Sequence, residues 1–305
     1  MKKIFLSALA IFMTLSAFVA QAAQPQIIVT GHDNNGAISI IDMNSNTIVW
    51  QYPLEAREFS NSVALLEGGK YIAYSTQLGA KVVSIADKKV VFEHKVPAVK
   101  THELHSVCAL KGGGVALFQA GTPCSLIILN KKFKKVGGFT FGGGNKHGQF
   151  RQATQSAKGT WLIPNFLDAS IVEYNDKGDV LNTYPIGTKS FGIKEGKDGM
   201  FYLGLGDGHK YAKYDPKKKE FVKEFTTLKG LQFNFVYNAQ YQEIGKGKYM
   251  VANWTGHRKQ KKTFIEPQVI MFDENDEVLW YWKEDQGVDL TKVSAFYYSE
   301  TPLVK

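Results

Sequence analysis

Apolar and polar positions recur along the chain in one short pattern. An apolar strand ends in aspartate or asparagine, a polar turn follows, and a second apolar strand begins; the first and last instances read IDMNSNTIVWQY and FDENDEVLWYW. Aspartate and asparagine side chains accept hydrogen bonds from backbone N–H groups two residues on, so each instance predicts a β-hairpin. The turn residues, with spacings of 45, 43, 45, 40 and 58 positions, are Asp42, Asp87, Asn130, Asn175, Asp215 and Asp273.

A second pattern precedes every hairpin after the first. It is an apolar strand, a Gly-rich turn and another apolar strand, as in SVALLEGGKYIAYS. Together the two patterns make a four-stranded unit of about 40–50 residues, the period of a β-propeller blade. The first unit has only three strands, beginning at 27–32, and one strand is left over at 292–300. We therefore predict an all-β, six-bladed β-propeller of four-stranded blades, whose first blade is completed by the C-terminal strand.

The first and last hairpins resemble the D-x-x-x-G-x-x-x-W hairpins of bacterial quinoprotein-like and arylsulfotransferase-like propellers. Trp50 and Trp280 occupy the tryptophan position, and the other four units carry different residues there. At the level of architecture the resemblance covers the whole chain after residue 22, and it implies the propeller fold. No cofactor motif of these families can be matched residue by residue, so the resemblance does not imply a quinone.

The N-terminus has the pattern of a secretory signal peptide. Lys2 and Lys3 precede an uncharged apolar stretch, and an Ala-Gln-Ala triplet ending at Ala22 places small residues at the two positions that a signal peptidase reads. The alternative is an uncleaved anchor, but the apolar stretch is short for a membrane span. We expect 1–22 to be removed, the protein to reach the periplasm or the cell exterior, and 23–305 to form one domain without a transmembrane segment.

The charge of the chain narrows the class of partner. The net charge is +9, and loss of the two lysines in the predicted signal peptide leaves +7. A basic surface favours an anionic small molecule, an acidic glycan or a charged envelope protein. Nucleic acid is not expected as a partner of an exported protein.

Polar and titratable residues are unevenly divided between the two faces of the predicted propeller. The loops after strands two and four of each blade share one face, which we call the loop face, and the hairpin turns share the other, the turn face. Six of the seven histidines fall on the loop face. Long loops also collect polar residues, but such a concentration predicts a binding site. The residues expected to bind a ligand are His32, Asn61, Glu103, Arg151, Asn165, His209, Asn238, Asn253, Trp254 and His257.

The segment THELHSV is the sharpest local motif. His102 and His105 bracket Glu103 at the start of an innermost strand. A His-x-x-His pair in extended or turning backbone can direct both rings to one point, which predicts a divalent metal site. The other interpretation is that one ring hydrogen-bonds a neighbouring strand and the other is solvated. The candidates for a third ligand are His32, His209 and His257.

The spacing of 58 positions before the last hairpin predicts an insertion of roughly 15 residues in the sixth blade. This region contains NWTGHRKQKK. Trp254 suits stacking on a sugar or aromatic ring, and Arg258 suits a carboxylate or sulfate. The lysines that follow are expected to form a solvated basic run.

Two functions remain open at this point. The first is an exported binding protein that recognises its ligand through the loop face at the central channel. The second is an enzyme, a lyase, hydrolase or sulfuryl transferase, with His102 or His105 as acid or base and Arg258 orienting the anion. The fold hosts both classes, and binding is the favoured interpretation.

The two cysteines fall in the third unit. Cys108 lies in its first strand and Cys124 at the start of its third. Two strand spacings place their Cα atoms roughly 9–10 Å apart. A disulfide needs less than about 7 Å, so we predict two free, buried thiols.

Overall fold

The computed structural model describes residues 24–31, 36–55, 58–97, 102–142, 148–245, 247–256, 266–283 and 292–304. Regular structure in these ranges consists of 24 β-strands. Blade one contains β1 (Gln26–Gly31), β2 (Ala37–Asp42) and β3 (Thr47–Pro53). Blade two contains β4 (Ser60–Leu66), β5 (Tyr71–Thr76), β6 (Gly79–Ser84) and β7 (Val90–Lys95). Blade three contains β8 (Glu103–Ala109), β9 (Val115–Ala120), β10 (Cys124–Leu129) and β11 (Lys135–Phe141).

The second half of the chain repeats the same arrangement. Blade four contains β12 (Thr154–Gln155), β13 (Trp161–Asn165), β14 (Ser170–Tyr174) and β15 (Val180–Pro185). Blade five contains β16 (Gly192–Glu195), β17 (Phe201–Gly204), β18 (Tyr211–Asp215) and β19 (Glu220–Phe225). Blade six contains β20 (Asn238–Gly245), β21 (Lys248–Asn253), β22 (Val269–Asp273) and β23 (Val278–Trp282), and the chain ends with β24 (Val293–Ser299).

Each blade is an antiparallel sheet of four strands, and blade one is closed by the end of the chain. Its strand order is β24-β1-β2-β3. In the β1–β24 pair, Ile27 lies opposite Tyr298 and Val29 lies opposite Phe296. The predicted architecture, six four-stranded blades with the C-terminal strand closing the first, is therefore confirmed.

The hairpin turns are stabilised as the sequence indicates. Asp42 Oδ1 accepts hydrogen bonds from the backbone N–H groups of Asn44 and Ser45, at 3.0 and 2.8 Å. Asp273 Oδ1 does the same for Asn275 and Glu277, both at 2.9 Å. These bonds fix the turn between the two outer strands in blades one and six.

Blade two differs from the sequence prediction. Ser84 ends β6 where Asp42 ends β2, and Asp87 lies three residues later and accepts from Lys89 N at 3.4 Å.

The hydrophobic core is divided among the junctions between neighbouring blades. At the first junction, Ile28 and Ile40 of blade one pack with Val63 and Ile72 of blade two. Inner strands are covered on both sides and are buried along most of their length, whereas the outer strand β19 alternates exposed and half-buried residues. The apolar core therefore forms a ring around the axis and leaves the loop ends of the inner strands for polar groups.

The extra length of blade six is divided between two connections. The sequence pattern assigned it to one insertion, but residues 226–237 join β19 to β20 and residues 254–268 join β21 to β22. The first connection contributes a residue to the core. Phe235 packs edge-on against Tyr211 with ring centroids 4.9 Å apart, and a buried aromatic residue of this kind resembles a strand residue in the sequence. His257 and Arg258 of the second connection lie outside the described residues, as do His32 and the predicted signal peptide 1–22.

Two further expectations concern the cysteines and the membrane. Neither cysteine forms a disulfide, but only Cys124 is buried. Cys108 is half-buried, which corrects the expectation of two buried thiols; it sits towards the turn-face end of its inner strand. Within the described ranges, no helix is both long enough and apolar enough to cross a membrane.

Candidate functional site

Four inner strands begin on the loop face with a β-bulge. In β8 the irregularity lies between Leu104 and Ser106, so His105 is the extra residue. Similar irregularities occur at the starts of β4 and β20, between Ser60 and Val63 and between Asn238 and Gln240. The fourth lies in the β1–β24 pair. A bulge turns side chains out of the regular alternation, and bulges are frequent beside binding sites.

The bulged histidine meets a buried arginine. His105 is fully buried, and its Nε2 lies 3.3 Å from Arg151 Nη1 and 3.6 Å from Glu103 Oε2. Arginine has only donors, so the first contact is a hydrogen bond when Nε2 carries no proton. The ring of Phe150 packs edge-on against the imidazole, with centroids 5.3 Å apart. The imidazole is thus held between a cation and a carboxylate.

Arg151 is the positive centre of this region. Only 7% of the residue is exposed, and its Nη1 donates a 2.8 Å hydrogen bond to Phe150 O. Burial lowers the pKa of the guanidinium, and the neighbouring Tyr237 and Glu103 act in the opposite direction. Burial also favours the neutral form of Tyr237, which for a phenol means a raised pKa. A guanidinium so far from water interacts strongly with any anion that reaches it.

Two asparagines lie at the bulged starts of inner strands in blades two and six. Asn61 and Asn238 are both fully buried, and neither the amide nitrogen nor the amide oxygen of either side chain has a hydrogen-bond partner among the described residues. Buried amides without partners are costly, and native proteins satisfy nearly all of them. We call Asn61, Glu103, His105, Arg151 and Asn238 the channel-mouth cluster.

Gln152, the residue after Arg151, connects the loop ends of three blades. From blade four its Nε2 donates to Asn61 O in blade two and to Ser294 O in blade one, both at 2.8 Å. The side chain therefore reaches across the ring to blades that are not neighbours of its own. The sequence did not single out Gln152, because only the ring geometry shows that a residue of blade four faces blade one.

Several predicted ligand residues instead hold the local backbone. Asn165 Oδ1 accepts from the N–H of Leu167 at 3.0 Å, and its Nδ2 donates to Asp168 at 2.7 Å. Asn253 is buried and bridges Val236 N and Pro267 O, at 2.9 and 3.2 Å.

His209 and Trp254 both contact the connection 226–237, which belongs to neither of their own loops. His209 Nδ1 lies 2.6 Å from Val236 O. The Trp254 ring packs edge-on against Tyr237, with centroids 5.0 Å apart, and the backbone of Gly256 lies against the same indole. These contacts leave less of the indole for a ligand than the sequence suggested.

The His-x-x-His motif divides between two environments. The His102 ring packs against Gly121, where an added Cβ would lie 3.0 Å from Nε2, and it lines a rim pocket of about 460 Å³ with Lys81 and His94. His105 lies in the channel-mouth cluster. In the described part of the chain, no three His, Cys, Asp or Glu side chains converge in the manner of a metal site. The metal site remains a prediction, and two of its candidate third ligands, His32 and His257, lie outside the described residues.

Comparison with solved structures supports the fold. The chain is similar to a protein of unknown function from Bacteroides caccae, with a TM-score of 0.80 and 24% identity over 90% of this chain and 98% of that one. It is also similar to a chain of a nidogen/laminin complex, with a TM-score of 0.60 and 10% identity over 91% and 100% of the two chains. A third similar structure is a catalytically inactive histidine-to-alanine variant of virginiamycin B lyase from Staphylococcus aureus with quinupristin, with a TM-score of 0.54 and 11% identity over 87% and 86%.

The sequence comparisons add no family. No protein-family model matches the chain, and no curated protein matches it. The resemblance to quinoprotein-like and arylsulfotransferase-like proteins is therefore confirmed for the β-propeller fold and not for either family. At identities below 25% the similar structures establish a shared fold, and function has to be argued from the channel-mouth cluster.

Proposed function

We propose that this protein binds a small anionic ligand in the channel mouth on its loop face. The observation that carries the proposal is the pair of fully buried amides, Asn61 and Asn238, whose polar atoms have no partner in the described structure. Asn61 O accepts a hydrogen bond from Gln152, the residue after Arg151, and Asn238 follows Tyr237, which interacts electrostatically with Arg151. A ligand with several oxygen atoms would accept from both amides while its charge is compensated by the arginine.

The surroundings of the cluster favour a compact ligand. Gln152, next to Arg151 in the chain, reaches across to the backbone of blades one and two, which leaves a ligand less room beside the cluster. The aromatic rings of Phe150 and Phe166 flank His105 and Arg151 and reduce the local polarity. In such surroundings charge–charge attraction is stronger than in water. The net charge of +9 adds long-range attraction for anions.

A second candidate function is catalysis at the same place. The observation in its favour is that His105 Nε2 lies within 3.6 Å of Glu103 Oε2 and 3.3 Å of Arg151 Nη1. A histidine between a carboxylate and a guanidinium can exchange a proton with a bound anion. A lyase is one such enzyme, and virginiamycin B lyase shares the propeller fold.

Thermal-shift and calorimetric titrations with sulfate, phosphate, citrate and glucuronate test the binding proposal. At least one of these anions is expected to raise Tm, because a ligand that binds only the folded state stabilises it. Asn61→Leu is expected to leave Tm without ligand unchanged or higher, since it removes an unsatisfied buried amide. The same change is expected to weaken anion binding about tenfold, equivalent to about 1.4 kcal/mol.

Asn165→Ala is the matched control, because it removes an amide on the same face that is occupied by its own turn. Its anion affinity should equal that of the parent chain. If none of the four anions binds, or if Asn61→Leu binds as tightly as the parent, the proposal is wrong. An anion recovered chemically altered, with loss of the alteration in His105→Gln, assigns catalysis instead.

A further inference from the structure

A second pocket lies on the turn face, at the junction where blade six meets blade one. Its volume is about 360 Å³. It lies on the opposite face from the channel mouth and shares no residue with the channel-mouth cluster. The seven residues that line it in the described structure carry no charge; they are Met43, Asn44, Asn46, Val278, Leu279, Trp280 and Tyr281.

The equivalent place between blades one and two is filled by the chain itself. Trp50 on β3 donates its indole N–H to Ile85 O across the junction, at 2.9 Å. Lys88, in the hairpin turn of blade two, places its Nζ 5.7 Å from the centre of the same indole. At the junction of blades one and two, the indole N–H of Trp50 is therefore hydrogen-bonded and its ring is covered by Lys88.

The two junctions correspond residue by residue. Trp50 lies opposite Ile40, next to the bulge of the β2–β3 pair, and Trp280 lies opposite Met271, next to the bulge of the β22–β23 pair. Ile85 and Met43 each follow the third strand of their blade. Ile85 N donates to Lys70 O and Met43 N donates to Pro25 O, and each acceptor directly precedes the second strand of the same blade.

The residues that face the two indoles also correspond. Lys88 and Asn46 occupy the same turn position, with φ of 56° and 57°. Lys88 lies three residues after Ile85, and Asn46 lies three residues after Met43. The repeat therefore replaces the covering lysine with a shorter, neutral asparagine at the junction of blades six and one.

The replacement changes the state of the second indole. The Trp280 N–H is buried and has no hydrogen-bond partner in the described structure, whereas Trp50 has one. The pocket occupies the place that Lys88 fills at the other junction. Beside it the ring of Tyr281 is 48% exposed. The pocket at this junction therefore has an aromatic wall and, in the described structure, an indole donor without a partner, and two asparagines lie beside them.

We propose that this pocket is a binding site for a neutral saccharide. A sugar ring presents C–H groups that pack on aromatic faces and hydroxyl groups that pair with amides and with an indole N–H. An uncharged lining offers no counter-charge to an ion, which favours a neutral ligand over an anion or a cation. The positive net charge of the chain further disfavours a cationic ligand.

The probes are N-acetylglucosamine and cellobiose, titrated into the purified full chain while the indole N–H signals are followed by NMR. The Trp280 signal is assigned by its absence in Trp280→Phe. We expect that signal to shift with a dissociation constant of about 1 mM for one of the two sugars, as suits a shallow site. The signal of Trp50, already bonded to Ile85 O, is expected to stay in place.

Asn46→Lys is the decisive variant, because it restores the residue that covers the indole at the other junction. It should weaken sugar binding about tenfold or more. Lys88→Asn is the matched opposite change, and it should make the Trp50 signal respond to the same sugar. Both positions already have φ near 57°, so neither change asks for a new backbone conformation.

Three results would overturn the proposal. The first is that neither sugar shifts the Trp280 signal. The second is that folded Asn46→Lys binds sugar as the parent does. The third is that methylammonium shifts the Trp280 signal while the sugars do not. The pocket would then bind a cation from another molecule, in the way that the Trp50 ring contacts Lys88 of the same chain.

Discussion

A single buried carboxylate shows how hydrogen bonding outweighs burial inside a blade. Glu173 is 8% exposed and accepts hydrogen bonds from Thr160 Oγ1 at 2.6 Å, Tyr184 OH at 2.6 Å and Asn182 Nδ2 at 2.9 Å. Burial alone raises the pKa of this carboxyl group, but the three donors lower it below its usual 4.5. The ionised form is therefore the one that the fold of blade four stabilises.

Glu173→Gln is expected to lower the free energy of unfolding by about 1–3 kcal/mol at pH 7, since an amide cannot accept all three bonds. The pKa of Glu173 is lowered in the folded state, so its contribution is present above pH 4.5 and is lost as the pH falls through the folded-state pKa. Urea unfolding at pH 7 and at pH 3 should show the difference between variant and parent shrinking in acid. Glu277→Gln, at an exposed site, is the control and should change little.

The residue scale also shows how far sequence reasoning reaches. The polar character of the loop face was predictable, and three of the residues that the sequence indicated, Glu103, His105 and Arg151, are in contact there. Asn165 and Asn253 have the same residue type on the same face, but Asn165 stabilises its own turn and Asn253 joins two neighbouring connections. A bulge or a tight turn decides where each side chain points, and neither is visible in the pattern of apolar positions.

At the scale of the element, the hairpin of strands three and four differs from blade to blade in the residues that face the neighbouring blade. Each copy keeps its turn and its bulge, while the residue that faces the neighbouring blade changes. Trp50 is bonded across its junction and Trp280 is not. Equal positions in the repeat therefore contribute unequally to holding the blades together.

Replacement of each tryptophan by phenylalanine measures this inequality. Trp50→Phe should cost about 1–3 kcal/mol more in free energy of unfolding than Trp280→Phe, because only the former leaves a buried carbonyl, Ile85 O, without its donor. Trp50 is buried and Trp280 is half-buried, and Trp280→Phe removes an N–H that has no partner among the described residues, so greater apolar burial and the hydrogen bond both make the Trp50 change the more costly one. Urea unfolding of the two variants side by side gives the comparison, and equal losses would contradict it.

Element boundaries were less predictable than element order. The strands and their pairing follow from the repeat, but the extra length of blade six was assigned to one loop instead of two. The connection 226–237 contains aromatic residues that pack on the core, and Phe235 is 2% exposed. Loop residues that pack into the space between two blades are apolar because they are buried. In the sequence they therefore look the same as strand residues, which are apolar for the same reason.

At the scale of the whole molecule, the ring is closed by β24 and by side chains that imitate strand pairing. Gln240 of blade six donates to Phe296 O at 2.9 Å and accepts from Phe296 N at 3.1 Å. Ser294 of the same strand donates to Ser60 O of blade two at 3.0 Å. β24 thus connects blade one to both of its neighbours.

Truncation after residue 291 tests this role. Loss of β24 uncovers the inner edge of β1 and the apolar residues that Phe296 covers, so we expect aggregation and loss of a single cooperative unfolding transition. A chain ending at residue 300 keeps β24 and loses little more than the contacts of Leu303 and Val304 with Gln26. Size-exclusion chromatography and urea unfolding should find the longer chain monodisperse and cooperative; similar behaviour of both chains would argue against closure by β24.

The hydrogen bonds of Gln152 join blades that are not neighbours in the ring. Its amide nitrogen bonds Asn61 O of blade two and Ser294 O of blade one, so a single side chain resists the separation of three blades. A blade that moved outward would have to break a contact on the far side of the ring as well as the contacts with its neighbours.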